Sequence, residues 1–428
     1  MAASETESLI NSLWKLVAAI LLTMSRLQQI NQPDPIGQLV AHDPDTGRST
    51  PQIITARGFH CQTHNITTSD GYYLTVYRII NPRFKRTRGP PLIVLHGFDA
   101  SAESWFWAEG EGKGDINTPL DVVGNCAPFE FAKRGYDVWI PADRGTLLSP
   151  YHVKYNYDRD QQYWTFSLDE LALIDLPAII EYVRRKTGKS KVGFYGHSQG
   201  GTRALMLLST IPKYNEILQP TILLTPITYL MNSPNFIINP LGRMIPDADG
   251  MLIMRRGKFL PSSMGIMNET CYRPIVGHIS ICGIMSLMTS VPGCNINITR
   301  RLVFAPNIPA DASDWQVAQF VQIARTDVFK RLDVGPRLNK QRYGTEYAPV
   351  YDLSRITNPY LISFSSLMDG LQSPIDQARA MREIQSRGNR LFYEKVITTP
   401  FCHFDFQYGM TVGKEVIAPT LDLLSYFK

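Results

Sequence analysis

The sequence predicts an α/β protein with a mostly parallel central sheet and a helical insertion. Two observations carry this. Short, unbroken apolar runs recur along the chain at 91–97 (PLIVLHG), 137–142 (DVWIPA), 191–197 (KVGFYGH), 220–226 (PTILLTP) and 360–366 (YLISFSS), with helix-like or loop stretches between them. None alternates polar with apolar residues, which marks strands covered on both faces, as in a parallel sheet. From 229 to 350 such runs give way to Met-rich, Pro-broken stretches and a helix-like segment at 316–332, so a helical insertion is expected between two sheet strands.

Each element has a local reason. Residues 58–68 and 72–80 are β-prone runs around Ser69-Asp70-Gly71, a hairpin signal. Residues 167–187 read as a helix opened by a Ser167–Glu170 capping box, and Pro177 is expected to kink it or end its first segment. The expected organisation is a signal peptide or N-terminal helix (1–27), a polar leader draped over the surface (28–56), a first core part (57–228), a cap insertion (229–350) and a second core part (351–428).

Composition removes other classes. Of 428 residues, 44% are hydrophobic and 11% aromatic, which excludes a disordered, collagenous or coiled-coil chain. The net charge of +5 is spread along the sequence with no dense Lys/Arg tract, so no nucleic-acid partner is expected. The apolar run at 13–24 is too short for a transmembrane span, which needs about twenty residues. It suits the apolar region of a signal peptide, although Glu5 and Glu7 stand where basic residues are usual. Three of the six cysteines, Cys271, Cys282 and Cys294, cluster at spacings that fit neither a zinc site nor a redox motif; one local disulfide is expected there, most simply Cys271–Cys282. Asn65, Asn268 and Asn297 head glycosylation sequons. Together these features point to secretion or a lysosomal lumen.

The chemistry centres on Gly196-His197-Ser198-Gln199-Gly200, which follows an expected strand and precedes an expected helix. A G-x-S-x-G turn in that setting lifts a serine oxygen above the sheet edge and points backbone N–H groups at a developing oxyanion. The second corner, Leu95-His96-Gly97-Phe98, also follows a buried strand; the N–H groups of Phe98 and Gln199 are the expected oxyanion donors. His96 is expected to hydrogen-bond to its loop and not to transfer protons. A serine nucleophile needs a base oriented by a carboxylate, in the chain order Ser, acid, His. Only His278 and His403 follow Ser198; His278 lies in the insertion, so His403 is the expected base. Asp369 directly follows the 360–366 strand and is the expected acid, with Asp376 and Asp405 as neighbours; Asp405 better suits anchoring the loop around His403.

The hairpin turn SDGY, LHGF, GYDVWIPADRG, FSLDELALIDLPAII, GHSQGG and HFDF occur in the order seen in the acid lipases, the family that includes gastric and lysosomal acid lipases and many insect relatives. The chain resembles that family from about residue 51 to its end. The resemblance implies an α/β-hydrolase fold with a cap and lid. It implies hydrolysis of triacylglycerols and cholesteryl esters without metal or organic cofactor. It also implies Ser198, Asp369 and His403 as the triad, Phe98 and Gln199 as oxyanion donors, and a neutral-lipid substrate met at a lipid–water interface. Three positions depart from the family pattern. Ser366-Leu367-Met368 replaces a Gly-Gly pair before Asp369, a bulkier loop that is expected to displace the carboxylate; Cys402 replaces an Asn before His403; and Phe98 replaces a Leu. Two other readings stand beside a lipase: a small-ester carboxylesterase, and a catalytically weak lipid-binding protein that kept the fold.

Overall fold

A computed structural model describes residues 43–235 except 88 and 99, then 247–259, 295–304 and 310–427. The predicted signal stretch, Cys271, Cys282 and Asn268 therefore lie outside the described residues. Helix α1 (Thr50–Ala56) leads into the hairpin β1 (His60–Thr67) and β2 (Tyr73–Ile80), then β3 (Leu92–Leu95), α2 (Ala127–Lys133) and β4 (Val138–Pro141). Helix α3 (Leu176–Thr187), β5 (Val192–His197), α4 (Gln199–Thr210) and β6 (Leu218–Leu224) follow. Helices α5 (Ala248–Arg255), α6 (Asp314–Thr326) and α7 (Pro336–Tyr343) separate β6 from β7 (Leu361–Ser366), and the chain closes through α8 (Pro374–Gln385) and β8 (Tyr393–Ile397).

All eight strands form one sheet in the order β1-β2-β4-β3-β5-β6-β7-β8. The pairs β1/β2 and β2/β4 are antiparallel and the remaining pairs are parallel. Strands β3 to β7 are buried along their whole length, as unbroken apolar runs require. Their alternating side chains supply two cores. Tyr195, Ile222 and Ile362 enter one, whereas their neighbours Phe194, Leu223 and Leu361 enter the other. The edge strands β1 and β8 keep one face towards water.

Three local expectations are refined. The end of the leader does not lie on the surface: α1 sends Ile53 and Ile54 into the first core, and a capping box of Ser49 and Gln52 starts it. The 167–187 helix begins with the Ser167–Glu170 box, where Glu170 accepts the Ser167 N–H at 2.7 Å. It then passes through a π turn, Leu171–Asp175, directly before Pro177, because proline has no N–H for the regular ladder and the wider turn absorbs the gap. Helix α6 stops at Thr326, short of the expected 332, because Asp327 adopts a left-handed cap at φ 54°.

Candidate active site

The parallel strands β3, β5, β7 and β8 bring the sequence-predicted residues to one edge of the sheet. Ser198 sits between β5 and α4 at φ 53°, ψ −122°, a backbone conformation that costs energy for any L side chain. The turn is tight enough to exclude Cβ atoms on either side. One on Gly196 would lie 2.9 Å from the Gly200 carbonyl carbon, and one on Gly200 would lie 2.6 Å and 2.7 Å from the Leu95 and His96 carbonyl oxygens. Those obstacles are backbone and cannot swing away. Gly200→Ala is therefore expected to lower stability by about 1–3 kcal/mol and to cut the esterase rate with it, read by thermal unfolding alongside turnover. An alanine variant with wild-type melting and rate would contradict the packing described.

His403 bridges the other two residues. Its Nε2 lies 2.8 Å from Ser198 Oγ and its Nδ1 lies 2.8 Å from Asp369 Oδ2. All three are buried. Asp369 Oδ1 accepts the Leu371 and Gln372 N–H groups, each at 2.9 Å, and Oδ2 also accepts the Thr225 hydroxyl. Burial pushes the Asp369 carboxyl up, but the charge and hydrogen bond of His403, with the Thr225 hydroxyl and the Leu371 N–H, hold it below its ordinary value. It is an anion facing a ring N–H.

The bulkier loop before Asp369 does not displace the carboxylate. Ser366 Oγ donates to Phe401 O at 2.6 Å and accepts the Met368 N–H, while Leu367 and Met368 turn their side chains outward, so the extra bulk stays away from the acid. The other carboxylates are engaged elsewhere. Asp376 accepts from Asn232, and Asp405 accepts the N–H groups of Cys402 (2.7 Å) and Asn295 (2.8 Å). Asp405 thus ties the His403 loop to Asn295 in the middle of the insertion. Burial, set against those two N–H groups, pushes its carboxyl up to about 6.

A carboxyl raised on folding binds its proton more tightly in the native state, so it stabilises at low pH and this contribution fades as pH rises through about 6. The shift corresponds to at most about 3 kcal/mol. Asp405→Asn is expected to flatten the decline of melting temperature between about pH 4 and 7. An unchanged slope would mean that Asp405 does not contribute to it.

Residues not anticipated from sequence complete the site. Thr225 closes the 220–226 run and holds Asp369. His197 lies 2.8 Å from His403 O through Nε2 and 3.0 Å from Gln407 Oε1 through Nδ1. Burial, and then the charge on His403, push the His197 ring down to about 3, so it stays neutral and its Nε2–H donates to the His403 carbonyl. The expected oxyanion donors belong to the two corners that meet beside the serine. Gln199 opens α4, so its N–H has no intrahelical acceptor. At the second corner, the Gly97 backbone passes so close that a Cβ there would lie 3.0 Å from Ser198 Cβ. The Phe98 ring packs edge-on against Phe320 of α6 at 5.8 Å, beside Val317 and Val321, and Gln316 of the same helix donates to the Gln199 side chain at 3.3 Å. An insertion helix therefore roofs the site. Among the described residues no group of three or more His, Cys, Asp or Glu side chains is placed to hold a metal ion.

This arrangement can generate a serine nucleophile, and the proteins the chain is similar to are lipases and α/β hydrolases. Residues 50–109 match a family described as a partial alpha/beta-hydrolase lipase region, and residues 90–236 match the alpha/beta hydrolase fold. Gastric triacylglycerol lipase of Rattus norvegicus is 28% identical over 400 residues, covering 91% of this chain and 94% of the relative. Lipase member N of Homo sapiens is 28% identical over 394 residues, covering 90% and 93%. The chain is similar over about nine-tenths of its length to these lipases, and its first half carries the α/β-hydrolase signature. A solved monoglyceride lipase variant from Saccharomyces cerevisiae shares the fold at 15% identity, with a TM-score of 0.50 over 90% of this chain and 98% of its own. Among the described residues, no helix is long and apolar enough to cross a membrane.

Proposed function

We propose that the protein is a serine lipase that hydrolyses neutral lipid esters, triacylglycerol first, in a secretory or lysosomal lumen. The observation that carries this is the continuous chain from Ser198 Oγ through both nitrogens of His403 to Asp369, with each link at 2.8 Å. His403 Nε2 takes the hydroxyl proton as Ser198 Oγ attacks the ester carbonyl carbon. The N–H groups of Phe98 and Gln199 stabilise the oxyanion. The imidazolium returns its proton to the departing alcohol, and Asp369 holds the ring in the productive tautomer throughout. Water then repeats the sequence on the acyl-enzyme, so no metal or organic cofactor is needed.

The gastric relatives are named for triacylglycerol, which supports that substrate, and residues 229–350 would act as the cap over the acyl chain. Compartment rests on other features. Asn65 is exposed on edge strand β1, and Cys402 is disulfide-bonded, while Cys61 and Cys126 are free. A disulfide supports an oxidising compartment.

The deciding assay pairs fatty-acid release from an emulsified long-chain triacylglycerol with hydrolysis of a soluble short-chain ester, at acid and at neutral pH. Release from the emulsion supports the lipase. Turnover of the soluble ester alone would move the protein to the small-ester class, and no turnover of either would favour the lipid-binding reading.

A further inference from the structure

His96 directly follows β3 with its ring sealed from solvent, and its Nδ1 lies 2.9 Å from the carbonyl oxygen of Gly97. A carbonyl only accepts, so the ring proton sits on Nδ1. Burial holds the ring below its ordinary pKa and therefore neutral, which leaves a lone pair on Nε2. The Gly97 carbonyl and the Phe98 N–H are opposite ends of one planar peptide, so fixing the oxygen fixes the direction of the N–H.

That peptide needs fixing. Gly97 has no Cβ to resist rotation of the unit that follows it. One cannot be added cheaply, because it would stand 3.0 Å from Ser198 Cβ and 3.2 Å from His197 Nδ1. A side-chain hydrogen bond from the preceding residue supplies the missing restraint. Behind the ring, Asp143 Oδ1 lies 3.7 Å from His96 Nε2, too far for a hydrogen bond, and the same oxygen accepts Arg203 Nη1 at 2.8 Å. Arg203 belongs to α4, the helix that directly follows Ser198. It keeps Asp143 occupied, so the carboxylate does not draw the imidazole proton over to Nε2.

We propose that His96 is a positioning residue of the oxyanion hole: its Nδ1–H holds the Gly97–Phe98 peptide with the Phe98 N–H directed at the oxyanion, while the Arg203–Asp143 pair preserves the tautomer this requires. This rests on the serine-hydrolase reading above. The role is indirect, since His96 touches neither substrate nor the reacting atoms. It acts on transition-state charge and therefore on kcat and not on substrate binding.

Two conservative replacements separate this from plain packing. An Asn side chain puts an amide N–H where Nδ1 stood, whereas Gln puts one where Nε2 stood. With a soluble short-chain ester, His96→Ala is expected to lower kcat about 10- to 100-fold with KM within about twofold, since loss of one oxyanion donor costs about 10²–10³-fold. Affinity for a trifluoromethyl ketone, which forms an anionic adduct on the serine, should fall by the same factor. His96→Asn should recover most of the loss and His96→Gln should not.

Equal losses in the Asn and Gln variants, or an effect confined to KM or melting temperature, would overturn the proposal. If His96→Ala does not fold, the Asn and Gln pair still decides it. An inactive wild type would remove the serine-hydrolase reading and this inference with it; an active wild type with an unaffected His96→Ala removes only this inference.

Discussion

Ser198→Ala is expected to lower hydrolysis of both soluble and emulsified esters by about 10⁶-fold while the protein stays folded, because loss of the nucleophile in a Ser–His–acid site costs as much as loss of the whole triad. The change removes one oxygen whose hydrogen bond is to His403 Nε2 at 2.8 Å. Alanine carries the same Cβ into the same strained backbone, and the Ser198 N–H keeps its bond to Leu224 O at 2.9 Å. Melting should therefore shift little. A fluorophosphonate should label the wild type once and the variant not at all. Residual turnover above about one per cent of wild type would mean that another group can attack the ester, and the proposed mechanism would fail. Loss of label together with loss of folding would instead point to a structural role for the serine.

The legible parts of the molecule are those that a strong, local physical demand writes into the sequence. Strands β3 to β7 lie in a sheet covered on both faces, so they must be apolar throughout and stand out as unbroken runs. The turn around Ser198 leaves no room for Cβ atoms, so its glycines stand out as well. His403 could be chosen because only two histidines follow the serine. Asp369 followed from strand order, and its loop holds the carboxylate in place although Leu367 and Met368 replace small residues, because those side chains point away from it.

Other parts leave no local mark. Thr225 reaches Asp369 across 144 positions, and His197 meets Gln407 across 210. A single Thr or Gln in such a stretch is indistinguishable from any other polar residue until the sheet brings the strands together. Helix α1 was hidden for a different reason. Its surroundings are polar, and only Ile53 and Ile54 betray the buried face, which is too few for a helical period to emerge. The π turn before Pro177 is a middle case, since the proline announces a break but not how the helix repairs it.

Asp369→Asn separates orientation from chemistry, and is expected to lower kcat by about 10⁴-fold with KM little changed. The surroundings of the carboxylate dictate how the amide must sit. Oδ1 accepts two backbone N–H groups at 2.9 Å, from Leu371 and Gln372, and neither can be reversed into an acceptor. The Asn oxygen is therefore held at that position, and its NH2 takes the place of Oδ2, facing His403 Nδ1 and the Thr225 hydroxyl. Facing a donor, Nδ1 must present its lone pair, so the ring proton moves to Nε2 and the nitrogen beside Ser198 can no longer accept the hydroxyl proton. The fold pays little, because the hydroxyl can turn to accept and the amide still bonds on both sides.

Asp405→Asn should leave kcat within a few-fold, since Asp405 meets Cys402 and Asn295 and not the imidazole, whereas the loss at Asp369 is about 10⁴-fold. The reverse pattern, a large loss at Asp405 and a small one at Asp369, would transfer the acid to the residue two places from His403. Comparable losses in both would mean that the loop around His403, and not its tautomer, limits the rate.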